Sequence, residues 1–172
     1  MSEAPQTQRL GKVMMYLAWA AGLFLAVQWF AAFEERKYNP NQQPQAQTTD
    51  EGIEVRLQAN PQGHYLLKGQ INGADVTFML DTGATFVAIP GSLAERLRLE
   101  SGRRVMVNTA NGMADSFDTQ ISSLNLGGIR LRDVSAGIIP GMTGDEVLLG
   151  MSALRQLDFS QQGGELILRQ YR

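Results

Sequence analysis

Residues 78–87 read Phe-Met-Leu-Asp-Thr-Gly-Ala-Thr-Phe-Val and place one carboxylate, Asp81, between two strongly apolar segments. Aspartate and glycine are common turn residues, so Asp-Thr-Gly alone has a simple interpretation as a turn. The full context is more specific, because large apolar residues precede the aspartate and Ala84-Thr85 leads into a second apolar run. The stretch therefore predicts two buried strands joined by a loop that carries a carboxylate.

Short apolar runs and scattered glycines on both sides of this stretch predict many strands joined by tight turns. Asn72-Gly73 is a strong hairpin signal, because both central positions of a type I′ turn require positive φ. Two short helices are predicted at 92–97, with Ser92 as the N-cap, and at 152–157. The predicted strands are 53–57, 64–71, 76–80, 85–89, 105–109, 117–124, 129–139, 147–149 and 165–168. The fold class is all-β, and the predicted architecture is a closed or nearly closed barrel.

The composition of the 172 residues excludes several classes of function. Without cysteine, the chain has no disulfide, thiolate zinc site, iron–sulfur cluster or cysteine nucleophile. His64 is the single histidine, which excludes a site with several histidine ligands. The formal net charge of −2 provides no general basic surface for nucleic acid. We therefore expect no metal site and no nucleic-acid partner, and we expect no cofactor either.

Residues 13–33 form a run of 21 residues without a charge. A helix of that length spans roughly 30 Å, the thickness of a bilayer core. A cleaved signal peptide is the alternative, but its apolar region is usually about 7–15 residues and ends at a small-x-small site. The run here is longer and continues into Glu-Glu-Arg-Lys at 34–37. The sequence therefore favours an uncleaved transmembrane anchor over a signal peptide.

The composition changes again after this apolar run. Residues 39–49 are rich in asparagine, glutamine, proline and threonine and contain no apolar side chain larger than alanine. Such a segment cannot bury a core, so it predicts a flexible polar linker. The predicted organisation is an N-terminal tail at 1–12, a transmembrane anchor at 13–33, a linker at 34–51 and a globular domain at 52–172.

The context of Asp81 resembles the active-site loop of aspartic proteases, in which two apolar residues precede Asp-Thr-Gly-Ala-Thr. The chain is similar to the retropepsin-like family of these enzymes, and most similar to its bacterial membrane-anchored members. The resemblance covers residues 52–172 and implies a retropepsin-like barrel that hydrolyses peptide bonds. It implies that Asp81 is catalytic and that Thr82, Gly83, Ala84 and Thr85 form the active-site loop.

Two further elements follow the order and spacing of that family. Leu148-Leu149-Gly150 matches an apolar-apolar-Gly element that passes beside the catalytic loop, and Gly150 stands 69 residues after Asp81. Asn111-Gly112 follows a predicted strand at the position of the flap, a hairpin that closes over substrate. Each string alone is unspecific, because most β domains contain similar ones; their order relative to Asp81 supports the resemblance.

The resemblance also implies how the site is assembled. Hydrolysis by two carboxylates requires one ionised group, which takes a proton from water, and one protonated group, which hydrogen-bonds the scissile carbonyl. The domain has one Asp-Thr-Gly loop, so the second aspartate is expected from a second chain in a symmetric homodimer. By resemblance, Thr82 links the two loops across the two-fold axis and Gly83 allows close approach of the backbone.

Two other interpretations stay open at this stage. In the first, the barrel keeps its shape but serves as a catalytically silent periplasmic module for binding or dimerisation. In the second, the enzyme acts mainly on its own 34–51 segment. Intact Asp81-Thr82-Gly83 favours an enzyme, because a binding module does not require these three residues.

The expected location is the bacterial inner membrane, crossed once. Arg9 and Lys12 precede the span and Arg36 and Lys37 follow it, so the positive-inside rule gives a tie. The short leading segment and the long trailing domain favour a cytoplasmic N-terminus and a periplasmic domain. There the domain would act on protein or peptide substrates.

Overall fold

The computed structural model describes residues 4–109 and 112–171 and divides into two compact units, Met1–Tyr38 and Asn39–Arg172. The first unit contains one helix, α1 (Ala4–Tyr38), of 35 residues. Its side chains are exposed from Arg9 onward. The part from Arg9 to Tyr38 is long and apolar enough to cross a membrane, as judged by length and composition.

Helix α1 contains the predicted span 13–33 and continues through the first residues of the predicted linker. Glutamate, arginine and lysine at 34–37 are good helix formers, and Arg36 and Lys37 lie in the last turn, where cations favour the helix dipole. The helix ends before Asn39-Pro40, because the residue before a proline is disfavoured in the α region.

The second unit is mostly β-structure. A 3-10 turn at Gly91–Leu93 and a short helix, α2 (Met151–Leu154), interrupt its strands. The strands are β1 (Ala46–Thr48), β2 (Gly52–Gln58), β3 (Leu66–Ile71), β4 (Ala74–Leu80), β5 (Val87–Pro90), β6 (Arg104–Thr109), β7 (Gly112–Leu126), β8 (Ile129–Ile139), β9 (Glu146–Leu149), β10 (Asp158–Gln162) and β11 (Glu165–Tyr171). They form one sheet of four strands, in the order β1-β2-β11-β10, and one of seven, in the order β3-β4-β9-β5-β8-β7-β6. The predicted all-β class is confirmed.

The larger sheet closes on itself. Strand β3 pairs with β4 along its whole length and also with β7, through Gln70 opposite Asn125 and Ile71 opposite Leu124. The strands from β3 to β7 in the sheet order therefore form a ring, from which β6 extends as the outer strand of a hairpin. The ring encloses fully buried apolar side chains, among them Phe78 and Ile121. The predicted barrel is confirmed.

The tight turn between β3 and β4 is the hairpin predicted at Asn72-Gly73. Asn72 has φ of 50° and Gly73 has φ of 83°, which are the positive values that a type I′ turn requires. This turn sets the register of β3 against β4, with Ile71 opposite Ala74. Strand β4 ends at Leu80, so Asp81 is the first residue after the strand.

Residues 39–48, here named the strap, are docked on the barrel rather than free. The side-chain amide of Asn41 donates to the carbonyl oxygens of Gln58 at 2.9 Å and Leu66 at 2.7 Å. Its Oδ1 accepts from the backbone N–H of Gln58 at 2.8 Å. Asn41 therefore joins the end of β2 to the start of β3, and only 8% of its surface is exposed.

The strap then crosses the turn between β7 and β8 and pairs with β2. Pro44 lies so close to Gly127 that a Cβ there would be 2.9 Å from the proline ring, and Ala46 packs on Gly128 in the same way. The prediction of a flexible linker is wrong over the strap. Hydrogen bonds of the backbone and of one amide side chain dock this segment, so its polar composition does not make it disordered.

Other predicted boundaries differ from the structure for local reasons. The predicted helix 92–97 is a 3-10 turn followed by further turns, and its N-cap is Pro90, so the prediction of Ser92 as the cap is wrong. Strand β5 begins at Val87 rather than at residue 85, because residues 84–86 continue the loop. Strand β10 was not predicted; all five of its residues are exposed, so it shows no alternation.

Candidate active site

Asp81 follows β4 at the point where β4 runs parallel to β9. Leu80 lies opposite Leu149 in this pairing, and the backbone N–H of Asp81 donates to the carbonyl oxygen of Leu149 at 3.2 Å. Phe78 in β4 and Leu149 in β9 are fully buried. Two strands fixed in the core therefore hold the aspartate at the rim of the barrel, where its side chain is half-buried.

The loop after Asp81 is folded back on its own carboxylate. The Oδ1 atom accepts from the backbone N–H of Gly83 at 2.8 Å, and the backbone N–H of Ala84 donates to the Asp81 carbonyl oxygen at 3.2 Å. A Cβ at position 83 would lie 3.1 Å from Oδ1 and would crowd it. Thr82, Gly83 and Thr85 are exposed, so the carboxylate is oriented by its loop and remains accessible from solvent.

The predicted apolar-apolar-Gly element contacts this loop directly. The backbone N–H of Met151, which follows Leu148-Leu149-Gly150, donates to the carbonyl oxygen of Ala84 at 2.8 Å. A Cβ on Gly150 would collide with the carbonyl groups of Phe86 and Ala84. Glycine is therefore required at position 150 for β9 and the loop to approach each other so closely.

Ser152 is a supporting residue whose role was not predicted. Its hydroxyl donates to the carbonyl oxygen of Ser135 in β8 at 2.7 Å and accepts from the backbone N–H of Val87 at 3.1 Å. The first residue of β5 is thereby tied to β8 through the start of α2. The sequence signal was its position two residues after Gly150, but a serine there also suits an ordinary short helix.

The predicted flap corresponds to the hairpin of β6 and β7, with Thr109 opposite Gly112. Asn111, predicted as a turn former, lies outside the described residues. Gly112 has φ of 102°, and its carbonyl oxygen accepts from the Thr109 hydroxyl at 2.7 Å. Gly112 contacts Thr109 within the hairpin, whereas Asp81 and Gly150 lie in one cluster formed by the loop and β9.

One face of this hairpin changes in chemistry from its tip to its base. Met106 and Met113 lie on the same face and are 63% and 61% exposed. Closer to the base of the hairpin, Arg104 binds Asp115 through two hydrogen bonds of 2.9 and 2.7 Å. A bidentate pair fixes geometry better than a single contact, so the register at the base is held while apolar side chains face solvent near the tip.

The clearest electrostatic perturbation lies on the smaller sheet. The Glu54 carboxylate contacts Arg56 at 2.7 Å and Arg169 at 2.8 Å. The hydrogen bond from Arg169 lowers the pKa of Glu54 below its ordinary value. Within residues 4–109 and 112–171, no three or more histidine, aspartate and glutamate side chains come together as ligands for a metal ion. The loop itself offers one carboxylate, that of Asp81.

Comparison with known proteins gives matches in this region. The family model described as gag-polyprotein putative aspartyl protease matches residues 67–156, which include Asp81 and Gly150. A protein of Sinorhizobium sp., described as an uncharacterized protein in the cobV 5′ region, is 33% identical over 120 residues, 67% of this chain and 52% of that protein. The chain thus spans about half the length of this curated relative.

One similar solved structure is a retropepsin-like aspartic protease from Rickettsia conorii. It is 27% identical to this chain and superposes with a TM-score of 0.58. The alignment covers 68% of this chain and 90% of that structure. The extent of the match shows that the barrel described above has the retropepsin-like fold.

Proposed function

The chain belongs to the retropepsin-like aspartic protease family, and we propose on that basis that it is an aspartic endopeptidase whose catalytic group is Asp81. The observation that carries the proposal is the geometry of the loop. Asp81 is held by β4 and β9, its Oδ1 is hydrogen-bonded to Gly83, and the loop is exposed to solvent. A carboxylate fixed in this way and open to water can act as a general base.

The second carboxylate of the mechanism comes from a second copy of the chain. Each chain has one Asp-Thr-Gly loop, and two carboxylates that lie close together share one proton, because both cannot easily be ionised. In a symmetric dimer, the ionised Asp81 takes a proton from water and the protonated Asp81 donates a hydrogen bond to the scissile carbonyl oxygen. Thr82 and Gly83 bring the two loops together at the two-fold axis.

The hairpin of β6 and β7 has the role of the flap in this proposal; Gly112 begins β7, and the other predicted turn former, Asn111, lies outside the described residues. The exposed Met106 and Met113 give the hairpin an apolar face, as binding of a peptide requires. Leu148, Leu149 and Gly150 form the segment against which the Asp81 loop packs. The protease domain begins at Asn39, because the strap belongs to the same compact unit as the barrel.

The experiment uses the full chain in detergent micelles with a peptide library from acidic to neutral pH. The wild-type chain should cleave peptides, and Asp81→Asn should abolish cleavage without unfolding the barrel. Asp145→Asn is the matched control, because Asp145 is also a loop carboxylate, although a more exposed one than Asp81. Full activity of Asp81→Asn, or a folded wild-type chain without any activity, would contradict the proposal and favour a catalytically silent binding module.

A separate experiment tests whether two chains share one active site. Addition of a large excess of Asp81→Asn chains to wild-type chains should suppress activity, because mixed dimers contain one carboxylate only. Asp145→Asn chains added in the same excess should not suppress it. If specific activity is independent of protein concentration and of the inactive chains, the shared site is wrong.

Helix α1 serves as a membrane anchor in this proposal, with residues 13–33 in the bilayer of the bacterial inner membrane and the protease domain in the periplasm. Support comes from its length, its apolar composition and the exposure of its side chains. Protease added to intact spheroplasts should digest the domain. Protection in spheroplasts, followed by digestion after lysis, would show the opposite orientation.

A further inference from the structure

Two segments from different parts of the barrel meet on Gly137, a buried residue of β8. A Cβ at position 137 would lie 2.5 Å from Cε2 of Phe86 and 2.5 Å from the hydroxyl oxygen of Ser116. Phe86 follows the Asp81 loop, whereas Ser116 belongs to β7, the second strand of the hairpin. The glycine therefore leaves just enough space for the loop and the hairpin strand to pack on the same point of β8.

The backbone of Phe86 is held as firmly as its ring. Its carbonyl group packs on Gly150, and the next residue, Val87, donates its N–H to the Ser152 hydroxyl. Earlier in the same loop, the carbonyl oxygen of Ala84 accepts a hydrogen bond from the backbone N–H of Met151. The main chain is thus fixed at Ala84 and at Val87, so we expect a displacement of the Phe86 ring to move the loop that carries Asp81.

Ser116 of β7 packs on Gly137 next to the Phe86 ring. It is fully buried, and its hydroxyl finds no hydrogen-bond partner among the described residues. A buried hydroxyl without a partner costs free energy, so its position is explained by size rather than by hydrogen bonding. A small residue is required where β7 passes Phe86 and Gly137.

We propose that Phe86 and Gly137 are positioning residues, which set the Asp81 loop against the hairpin strand β7 through one packing contact. In this role they act through the loop and not on the reacting atoms. The inference rests on the proposed function for its kinetic consequence, but not for its structural one. A displacement of the loop should lower kcat, because a misplacement of about 1 Å at a reacting group costs on the order of 100-fold in rate.

The test compares two glycine-to-alanine variants of the full chain in detergent micelles. Gly137→Ala places a methyl group against Phe86 and Ser116. Gly69→Ala is the matched control: Gly69 lies in β3, and its added Cβ would collide with the Asn125 carbonyl and lie 2.9 Å from the Phe78 ring. Neither glycine has a positive φ. Both changes overpack the barrel, but only the first does so beside Phe86.

The first readout is the amide spectrum, which needs no activity. In Gly137→Ala, the amide signals of Gly83 and Ala84, both hydrogen-bonded to Asp81, should shift. In Gly69→Ala they should shift less, because the added methyl group contacts Phe78 in β4 and not the loop itself. The second readout is kinetic. Gly137→Ala should lower kcat about tenfold or more with KM within about twofold, whereas Gly69→Ala should keep kcat within about twofold per folded molecule.

Phe86→Leu removes Cε2, so its combination with Gly137→Ala should return the loop amides and kcat toward the wild-type values. Phe86→Leu alone tests the inference if Gly137→Ala does not fold, because loss of the ring should shift the same amides. Equal effects of the two glycine variants, or unmoved loop amides in Gly137→Ala and Phe86→Leu, would overturn the inference. A wild-type chain that cleaves nothing would overturn the proposed function, while the amide signals would still decide this inference.

Discussion

Replacement of Asn41 by alanine should destabilise the protease domain, although Asn41 lies in a polar segment outside the barrel. The substitution removes three hydrogen bonds, of 2.7, 2.8 and 2.9 Å, to Leu66 and Gln58. The Leu66 carbonyl is buried, and the loss of its partner costs about 1–3 kcal/mol. The two groups of Gln58 are partly exposed and regain water, so they add about 0.5 kcal/mol each.

The expected decrease in the free energy of unfolding is therefore about 3 kcal/mol, which is about 10 °C in Tm for a domain of this size. The measurement is urea unfolding of a soluble 39–172 fragment, followed by circular dichroism. Gln45→Ala is the matched control, because Gln45 is an exposed residue of the same strap. If Asn41→Ala and Gln45→Ala are equally stable, the strap is not docked in solution and this reasoning is refuted.

Three further predictions concern stability. A 52–172 fragment, which lacks the strap with its strand β1, should unfold at lower temperature than the 39–172 fragment. Equal Tm values would argue against the domain boundary at Asn39. Gly150→Ala should destabilise the domain by about 3 kcal/mol, because its Cβ meets backbone carbonyls that cannot move away, whereas Gly141→Ala has open space and should be neutral in the same unfolding assay. The pKa of Glu54 is lowered in the folded state, so the unfolded chain binds the proton more tightly. The contribution of ionised Glu54 to folding stability is therefore present above about pH 4.5 and is lost as the pH falls through the lower pKa of the folded state. Urea unfolding from pH 3 to 7 should accordingly show that the difference between wild type and Glu54→Gln shrinks on the acid side, and a constant difference would contradict the assignment.

The sequence was sufficient to predict the strands and turns around the Asp81 loop. Asp81 between two apolar runs, the later Gly150 and the Asn72-Gly73 turn each leave a local signal, because strand burial and positive φ restrict the residues that fit. The parallel pairing of β4 with β9 joins segments far apart in the chain. No local pattern reports such a pairing, and the resemblance to a family predicted only that the Gly150 element passes beside the loop.

The parts that the sequence did not predict are held by hydrogen bonds rather than by apolar burial. Asn41 binds main-chain groups of β2 and β3, and a polar side chain that does this looks the same in a sequence as one that is solvated. The role of Ser152 is hidden for the same reason. The contact of Phe86 with Gly137 depends on the space that one missing Cβ leaves, which is visible only when the strands are in place.

The parallel pairing of β4 and β9 has a consequence for the protein during its synthesis. Asp81 leaves the ribosome before Gly150, and translation of the 69 residues from Thr82 to Gly150 takes roughly 3–14 s at 5–20 residues per second. During that interval the aspartate loop has no partner strand to rest on. We expect the loop of a nascent chain to lack this support until β9 has been translated, and a chain with the proposed activity to be inert until then. Ribosome-bound chains stalled before residue 150 should leave a fluorogenic peptide intact, and its cleavage by them would show that β4 alone holds the loop.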